Sequence, residues 1–249
     1  MLSKIIEYQQ RIENALKDKS YGSNPKELYE PVRYIMSLGG KRLRPVLVCL
    51  GCDFFDGRVD TALPAAIAIE LFHNFTLVHD DLMDNAPLRR NQQTVHEKWN
   101  GSIAILSGDT MMIASYQELC KVNSPNLLQL ITTFSETAIK VCEGQQLDMN
   151  YEKNQKVSIP QYLKMIELKT AVLLGASLKI GASIGQAREE DAHQLYEFGK
   201  HIGIAFQLQD DILDVYADEK KFGKQKGGDI IANKKTYLLL KAIEIAEGN

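Results

Sequence analysis

Two apolar segments of this chain each end in the same cluster of carboxylates. Phe72 to Arg90 reads FHNFTLVHDDLMDNAPLRR and places Asp80, Asp81 and Asp84 after an apolar run. Phe206 to Asp214 reads FQLQDDILD and repeats the pattern with Asp210, Asp211 and Asp214. At ~3.6 residues per turn, the first and last aspartates of each cluster stack on one helix face with the middle one beside them. Like charges at that spacing repel, and carboxylates at the end of an apolar helix are poorly hydrated. A single copy reads as well as a solvated acidic helix end. The second copy tips the balance, because a folded chain can bring the two clusters together over cations.

The 249 residues suffice for one large domain with a substantial core, and 45% hydrophobic with 24% charged residues is a globular composition. A net charge of −3 argues against a general nucleic-acid binder. The amphipathic start lacks the apolar core of a signal peptide, and Glu70, Lys169 and Lys179 interrupt the most apolar stretches. No membrane span is therefore expected, and the cytoplasm is the expected compartment. Cys49 and Cys52 form C-x-x-C without a second pair, and read as buried helix cysteines.

Helical periodicity runs throughout. Ile5, Ile6, Ile12 and Leu16 outline the apolar face of a first helix. Asn24-Pro25 reads as an N-cap with a first-turn proline, Pro31 as a kink or break, and Gly39-Gly40 as a helix end. A helix is expected near Pro45 and a long one from about Leu63 to Asn85, followed by a loop through Pro87 to Asn91. Further helices are expected over roughly 101–120, 125–145, 160–185, 190–216 and 234–247. No strand alternation of useful length is found, so the expectation is a single all-α domain of long packed helices.

Basic residues gather beside the acids. Lys41 and Arg44 follow two glycines, Arg89 and Arg90 follow the first aspartate cluster, and Lys224, Lys226, Lys234 and Lys235 follow the second. Each run alone is most simply a solvated patch. Together, carboxylate pairs and Lys/Arg suit metal ions bridging the aspartates to a phosphorylated substrate.

At this point GGKRLRP, DDLMD with Arg89-Arg90, Glu143-Gly-Gln-Gln146, Lys169-Thr170, and FQLQDDILD followed by FGK and GGD match a known order. From about residue 20 to its end the chain resembles the trans-isoprenyl diphosphate synthases, the short-chain polyprenyl synthetases. The resemblance implies an isoprenoid synthase-type bundle around a cavity, with the aspartate clusters facing each other at its mouth. It implies Mg²⁺ held by Asp80, Asp81, Asp84, Asp210 and Asp214, with Asp211 in support. Arg89, Lys169, Lys224 and Lys234 would hold an allylic diphosphate; Lys41, Arg44, His73 and Arg90 would hold isopentenyl diphosphate. Thr170 and Gln207 would stabilise an allylic carbocation, and a homodimer is implied. The chain ends soon after Lys234-Lys235-Thr236, so the family's C-terminal helices are expected to be missing from it.

His73 lies seven residues before Asp80, two turns back on one face. Phe75 lies five before it, roughly 7.5 Å along the axis at ~1.5 Å per residue. With small Thr76 beside it and Phe72 a turn further down, the family pattern points to a C20 product, with C15 as the alternative. Ordinary core packing of Phe72 and Phe75 is the competing explanation. A class I terpene cyclase would carry a different second metal motif and need no isopentenyl pocket. A non-catalytic partner subunit would lack some of these acids or bases, and a metal-binding scaffold would leave the paired basic motifs unexplained.

Overall fold

The computed structural model describes residues 2–154, 156–216 and 234–247. It is all-α apart from one small hairpin. Helix α1 spans Leu2–Asp18, α2 Lys26–Ser37, α3 Leu43–Asp53 and α4 Val59–Met83. Strands β1 (Leu88–Arg89) and β2 (Gln92–Gln93) follow, then α5 (Val95–Lys98), α6 (Gly101–Leu119) and α7 (Leu127–Lys153). Helix α8 (Ile159–Ile166) runs through a π turn, Glu167–Ala171, into α9 (Val172–Ile184); α10 is Glu189–Tyr216 and α11 is Tyr237–Glu247. The chain clusters into two compact units. One comprises residues up to Thr133 with Ser177–Leu195, the other Phe134–Ala176 with Tyr196 onward.

The expected helices form, with instructive differences at their edges. Ile6 is exposed, and the buried face of α1 is Tyr8, Ile12 and Leu16, spaced four apart as one helical stripe. Pro25 rather than Asn24 occupies the cap position of α2, which has no side-chain cap, and the helix runs through Pro31 unbroken. Helix α4 opens at Val59, a turn before Leu63, because Thr61 closes a turn on the Arg58 carbonyl through both its N–H and its hydroxyl. The segment expected as loop after Pro87 contains the hairpin, in which Leu88 pairs with Gln93 and Arg89 with Gln92. Its two-residue turn puts Arg90 (φ 53°) and Asn91 (φ 61°) in the left-handed region, as a type I′ turn requires.

In the first unit α4 packs chiefly on α6 and α3. Ala62, Ala65, Ala66 and Ala68 keep its surface low, while Ile69, Leu71 and Phe72 fill the contacts. By length and composition α4 is apolar enough to cross a membrane, yet 67% of the relevant window is buried inside the fold. It also carries acids inside the protein. Glu70 is 2% exposed and faces Arg42, 4% exposed, whose guanidinium donates to Glu70 Oε1 (2.5 Å), Glu13 Oε1 (2.7 Å) and the Met36 carbonyl (3.2 Å). Asn74 Nδ2 adds a bond to Glu70 Oε1 at 3.0 Å. Cys49 and Cys52 are buried on α3, and burial pushes their thiols up to about 12 and about 11. They are inert core groups, as the sequence suggests.

The second unit is built around Val157, Tyr162, Met165, Ile166 and Leu240, where α8 meets α11. Helix α8 starts on a capping box: Ser158 Oγ accepts from the Gln161 N–H, and Gln161 Oε1 accepts from the Ser158 N–H at 2.8 Å.

Breaking a buried ion pair from one side leaves an uncompensated charge, which typically costs about 3–5 kcal/mol. Arg42→Met is therefore expected to lower thermal stability strongly, because the buried Glu70 carboxylate loses its cation, and Arg42→Met with Glu70→Leu to recover much of it. A melting temperature for Arg42→Met equal to that of the parent chain would contradict this.

Candidate active site

The first unit holds the first acidic cluster with its basic neighbours. Asp84 caps α4, its N–H bonded to the Asp80 carbonyl at 2.8 Å, so the two residues stand one turn apart on one face. Asp81 is 2% exposed and is answered by Arg89, whose Nε and Nη2 donate to its oxygens at 2.7–2.9 Å. Burial raises the Asp81 carboxyl above its usual range, and Arg89 partly offsets that. The same contact, with Asp80 and Asp84 nearby, outweighs burial at Arg89 and raises its guanidinium. The hairpin makes this geometry, because it fixes Arg89 and Arg90 on consecutive positions that diverge.

Arg90 donates to the Gly39 carbonyl. Gly39 (φ +72°) and Gly40 (φ +149°) take conformations that suit glycine, and a Cβ at Gly40 would lie 3.1 Å from the Arg90 guanidinium. Gly40 thus makes room for an arginine of the protein itself, whereas a Cβ at Gly39 would meet nothing within 4 Å. Arg44 sits in the first turn of α3 and donates to His73 Nε2 at 3.2 Å. Burial lowers Arg44 to about 10, still charged near neutrality, and holds His73 well below its usual value, with Arg44 and Arg90 adding to the shift. His73 is therefore neutral with its proton on Nδ1, and Nε2 is the acceptor. Arg44 Nε is buried without a hydrogen-bond partner. Among the described residues Lys41, Arg44 and Arg90 form no ion pair.

Phe72 and Phe75 are buried, with ring centroids 5.5 Å apart, and Phe75 lies 4.7 Å from the His79 ring. His79 Nε2 stands 3.2 Å from the Ile105 carbonyl of α6, where a Cβ at Gly108 would be 2.3 Å from the same nitrogen. The ladder Phe72, Phe75, His79 thus runs along α4 and reaches α6 at His79. Thr76 bonds its own helix at the His73 carbonyl, 2.8 Å away.

The second unit holds the other cluster. Asp211 is buried, and its carboxylate accepts from Tyr162 OH (2.5 Å), the Tyr237 N–H (3.1 Å) and Gln207 Nε2 (3.4 Å). Burial raises its carboxyl, and these bonds partly offset the shift. Gln207 Oε1 accepts from Thr170 Oγ1 at 3.3 Å, so Thr170, Gln207 and Asp211 form one chain. Lys169 and Thr170 lie in the π turn, a rare geometry that concentrates at functional sites. Asp210 and Asp214 flank Asp211 on α10, with Asp214 buried. Lys224 lies outside the described residues.

Three partners escaped the sequence reading. Arg42 holds the GGKRLRP loop, Tyr162 holds Asp211, and Asp148 accepts from both Lys169 Nζ (2.6 Å) and Lys234 Nζ (3.2 Å). Only Asp148 left a signal, since it follows Glu143-Gly-Gln-Gln146 by two residues.

No group of three metal-ligating side chains is assembled among the described residues. The donor chemistry nonetheless fits a hard dication. Asp80 and Asp84 offer carboxylate oxygens one turn apart, and Mg²⁺ is commonly held by one or two carboxylates completed by phosphate oxygens. Asp81, occupied by Arg89, serves in this structure to hold that arginine.

Residues 25–249 match the polyprenyl synthetase family model. The geranylgeranyl diphosphate synthase of Methanosarcina mazei is 45% identical over 224 residues, covering 89% of this chain and 69% of that protein. That of Sulfolobus acidocaldarius is 41% identical over 248 residues, covering 96% and 75%. A crystal structure of a geranylgeranyl pyrophosphate synthase superposes with a TM-score of 0.93 at 47% identity, covering 96% of this chain and 73% of that one. The chain belongs to the polyprenyl synthetase family and has its all-α fold.

Asp148 carries a pH dependence. Burial disfavours its charge, but the Lys169 and Lys234 ammoniums outweigh that and hold its carboxyl below the usual value. A carboxyl depressed by folding stabilises the native state above its unfolded pKa of about 3.9, and that contribution is lost as pH falls through the lower folded value. Asp148→Asn is expected to melt below the parent at pH 7, with the gap closing as pH falls below about 4. A gap that stays constant down the acid series would contradict the assignment.

Proposed function

We propose that this protein is a trans-prenyltransferase that condenses isopentenyl diphosphate head-to-tail with an allylic diphosphate, giving geranylgeranyl diphosphate (C20). The observation that carries this reading is the set Lys41, Arg44 and Arg90, cations without a carboxylate partner among the described residues, beside a buried, orphaned Arg44 Nε. Buried donors left unmatched are costly, and a diphosphate supplies the missing acceptors and charge. Neutral His73 adds a donor at Nδ1. The C20 product follows the names of the relatives at 41–45% identity.

In this reading Lys169, Lys224, Lys234 and Arg89 hold the allylic diphosphate, and Asp80, Asp84, Asp210 and Asp214 would hold Mg²⁺, with Asp81 and Asp211 supporting them. Bound Mg²⁺ supplies neutralisation of the leaving diphosphate. The C1–O bond breaks and its electron pair leaves with the diphosphate, whose charge Lys and Arg meet. The Thr170 and Gln207 oxygens face the allylic cation that remains. The double bond of isopentenyl diphosphate attacks C1, and a proton lost to the released diphosphate restores a double bond. No side-chain nucleophile takes part. A cytoplasmic homodimer belongs to the same proposal.

Removing the Phe75 ring opens space beside Phe72 and His79, where the proposal places the floor under the growing chain. Incubation with Mg²⁺, isopentenyl diphosphate and C5, C10 or C15 allylic diphosphates, read by mass, is expected to end at C20, and beyond C20 for Phe75→Ala. A C15 end point would refute the product assignment, an unchanged Phe75→Ala product the floor, and no condensation the activity.

A further inference from the structure

The face of α7 that carries Gly144, Asp148 and Glu152 is a docking stripe for two lysines from separate segments. The three residues follow at four-residue intervals, so they stack along one side of the helix. Gly144 meets the π turn: a Cβ there would lie 2.2 Å from the Lys169 backbone nitrogen, so only glycine allows this approach. One turn on, Asp148 Oδ2 takes Lys169 Nζ at 2.6 Å and Lys234 Nζ at 3.2 Å. One turn further, Glu152 Oε1 takes Lys234 Nζ at 2.5 Å.

We infer that Asp148 is a positioning residue for the allylic diphosphate, holding the ammoniums of Lys169 and Lys234 on one oxygen so that both meet the same diphosphate. Two ammoniums sharing an acceptor can stand no further apart than the sum of their distances to it, a spacing that suits the two phosphoryl groups of one diphosphate. Their mutual repulsion would drive them apart without an ionised carboxylate between them. Asp148 is almost wholly buried, so solvent does little to screen it. Glu152 is a second acceptor for Lys234 and keeps that lysine on the stripe. The carboxylates hold the two ammoniums ready on one side of the helix, where arriving phosphoryl oxygens meet both charges together.

This inference rests on the proposed condensation and is tested in the same assay. Asp148→Asn keeps size and one acceptor oxygen but removes the charge. It is expected to raise KM for the allylic diphosphate about tenfold while KM for isopentenyl diphosphate stays within twofold. A merely structural defect would lower kcat and leave both constants in proportion, which would overturn the inference. Asp148→Asn is also expected to add less than twofold in a Lys169→Met, Lys234→Met background; a full tenfold there would overturn it. Glu152→Gln, at a more exposed site, gives a second reading and should raise the allylic KM alone by about threefold. A parent enzyme without turnover would instead sink the proposed function, and calorimetric binding of the allylic diphosphate would then still report on Asp148.

Discussion

The first unit is organised by the need to answer charges buried along α4. This helix is apolar for most of its length, yet it encloses Glu70 and Asp81, each 2% exposed. A buried carboxylate without a partner costs several kcal/mol, so each calls for a cation from another segment. Arg42 meets Glu70 and Arg89 meets Asp81. Both arginines come from short basic runs, and in each run a neighbour is left over. Lys41 and Arg44 flank Arg42, and Arg90 follows Arg89. One arginine of each run holds the backbone in place, which carries the others to their positions. The same helix supplies the acceptor for Arg44 through His73. Structural pairing and the proposed ligand binding are thus divided among adjacent residues of one motif.

The second unit works on a similar plan with lysines. The carboxylates of Asp148 and Glu152 collect Lys169 and Lys234, while Asp211 is tied by Tyr162, Gln207 and the Tyr237 N–H. In each cluster the middle aspartate is buried and engaged by protein donors. Its outer neighbours, Asp80 with Asp84 and Asp210 with Asp214, are the members that the proposed function assigns to metal. Under the proposed function the pattern DDxxD combines a holding residue with metal-binding ones, and the helical repeat separates the two roles by about a quarter turn.

Long apolar periodicity made nearly every helix legible in the sequence, and paired acidic and basic motifs marked the candidate residues. What escaped was short or relational. Two-residue strands have no alternation to detect, and Arg90-Asn91 lacks the glycine that usually announces a tight hairpin turn. The π turn adds a residue to a helical turn without disturbing the apolar spacing on either side. A basic run such as Lys41-Arg42-Leu43-Arg44 does not show which cation is buried, because the answer depends on where Glu70 lies in space. Asp148 left only its place two residues after Glu143-Gly-Gln-Gln146, because its meaning comes from two lysines far from it in the chain.

The central claim is this division of labour between neighbouring arginines, and calorimetric titration of isopentenyl diphosphate tests it most directly. Arg90→Gln is predicted to weaken binding about tenfold or more, the scale of one charge-assisted contact, while its melting temperature stays close to that of the parent. Unchanged affinity together with a large loss of stability would show that Arg90, like Arg89, serves the fold, and would contradict the account.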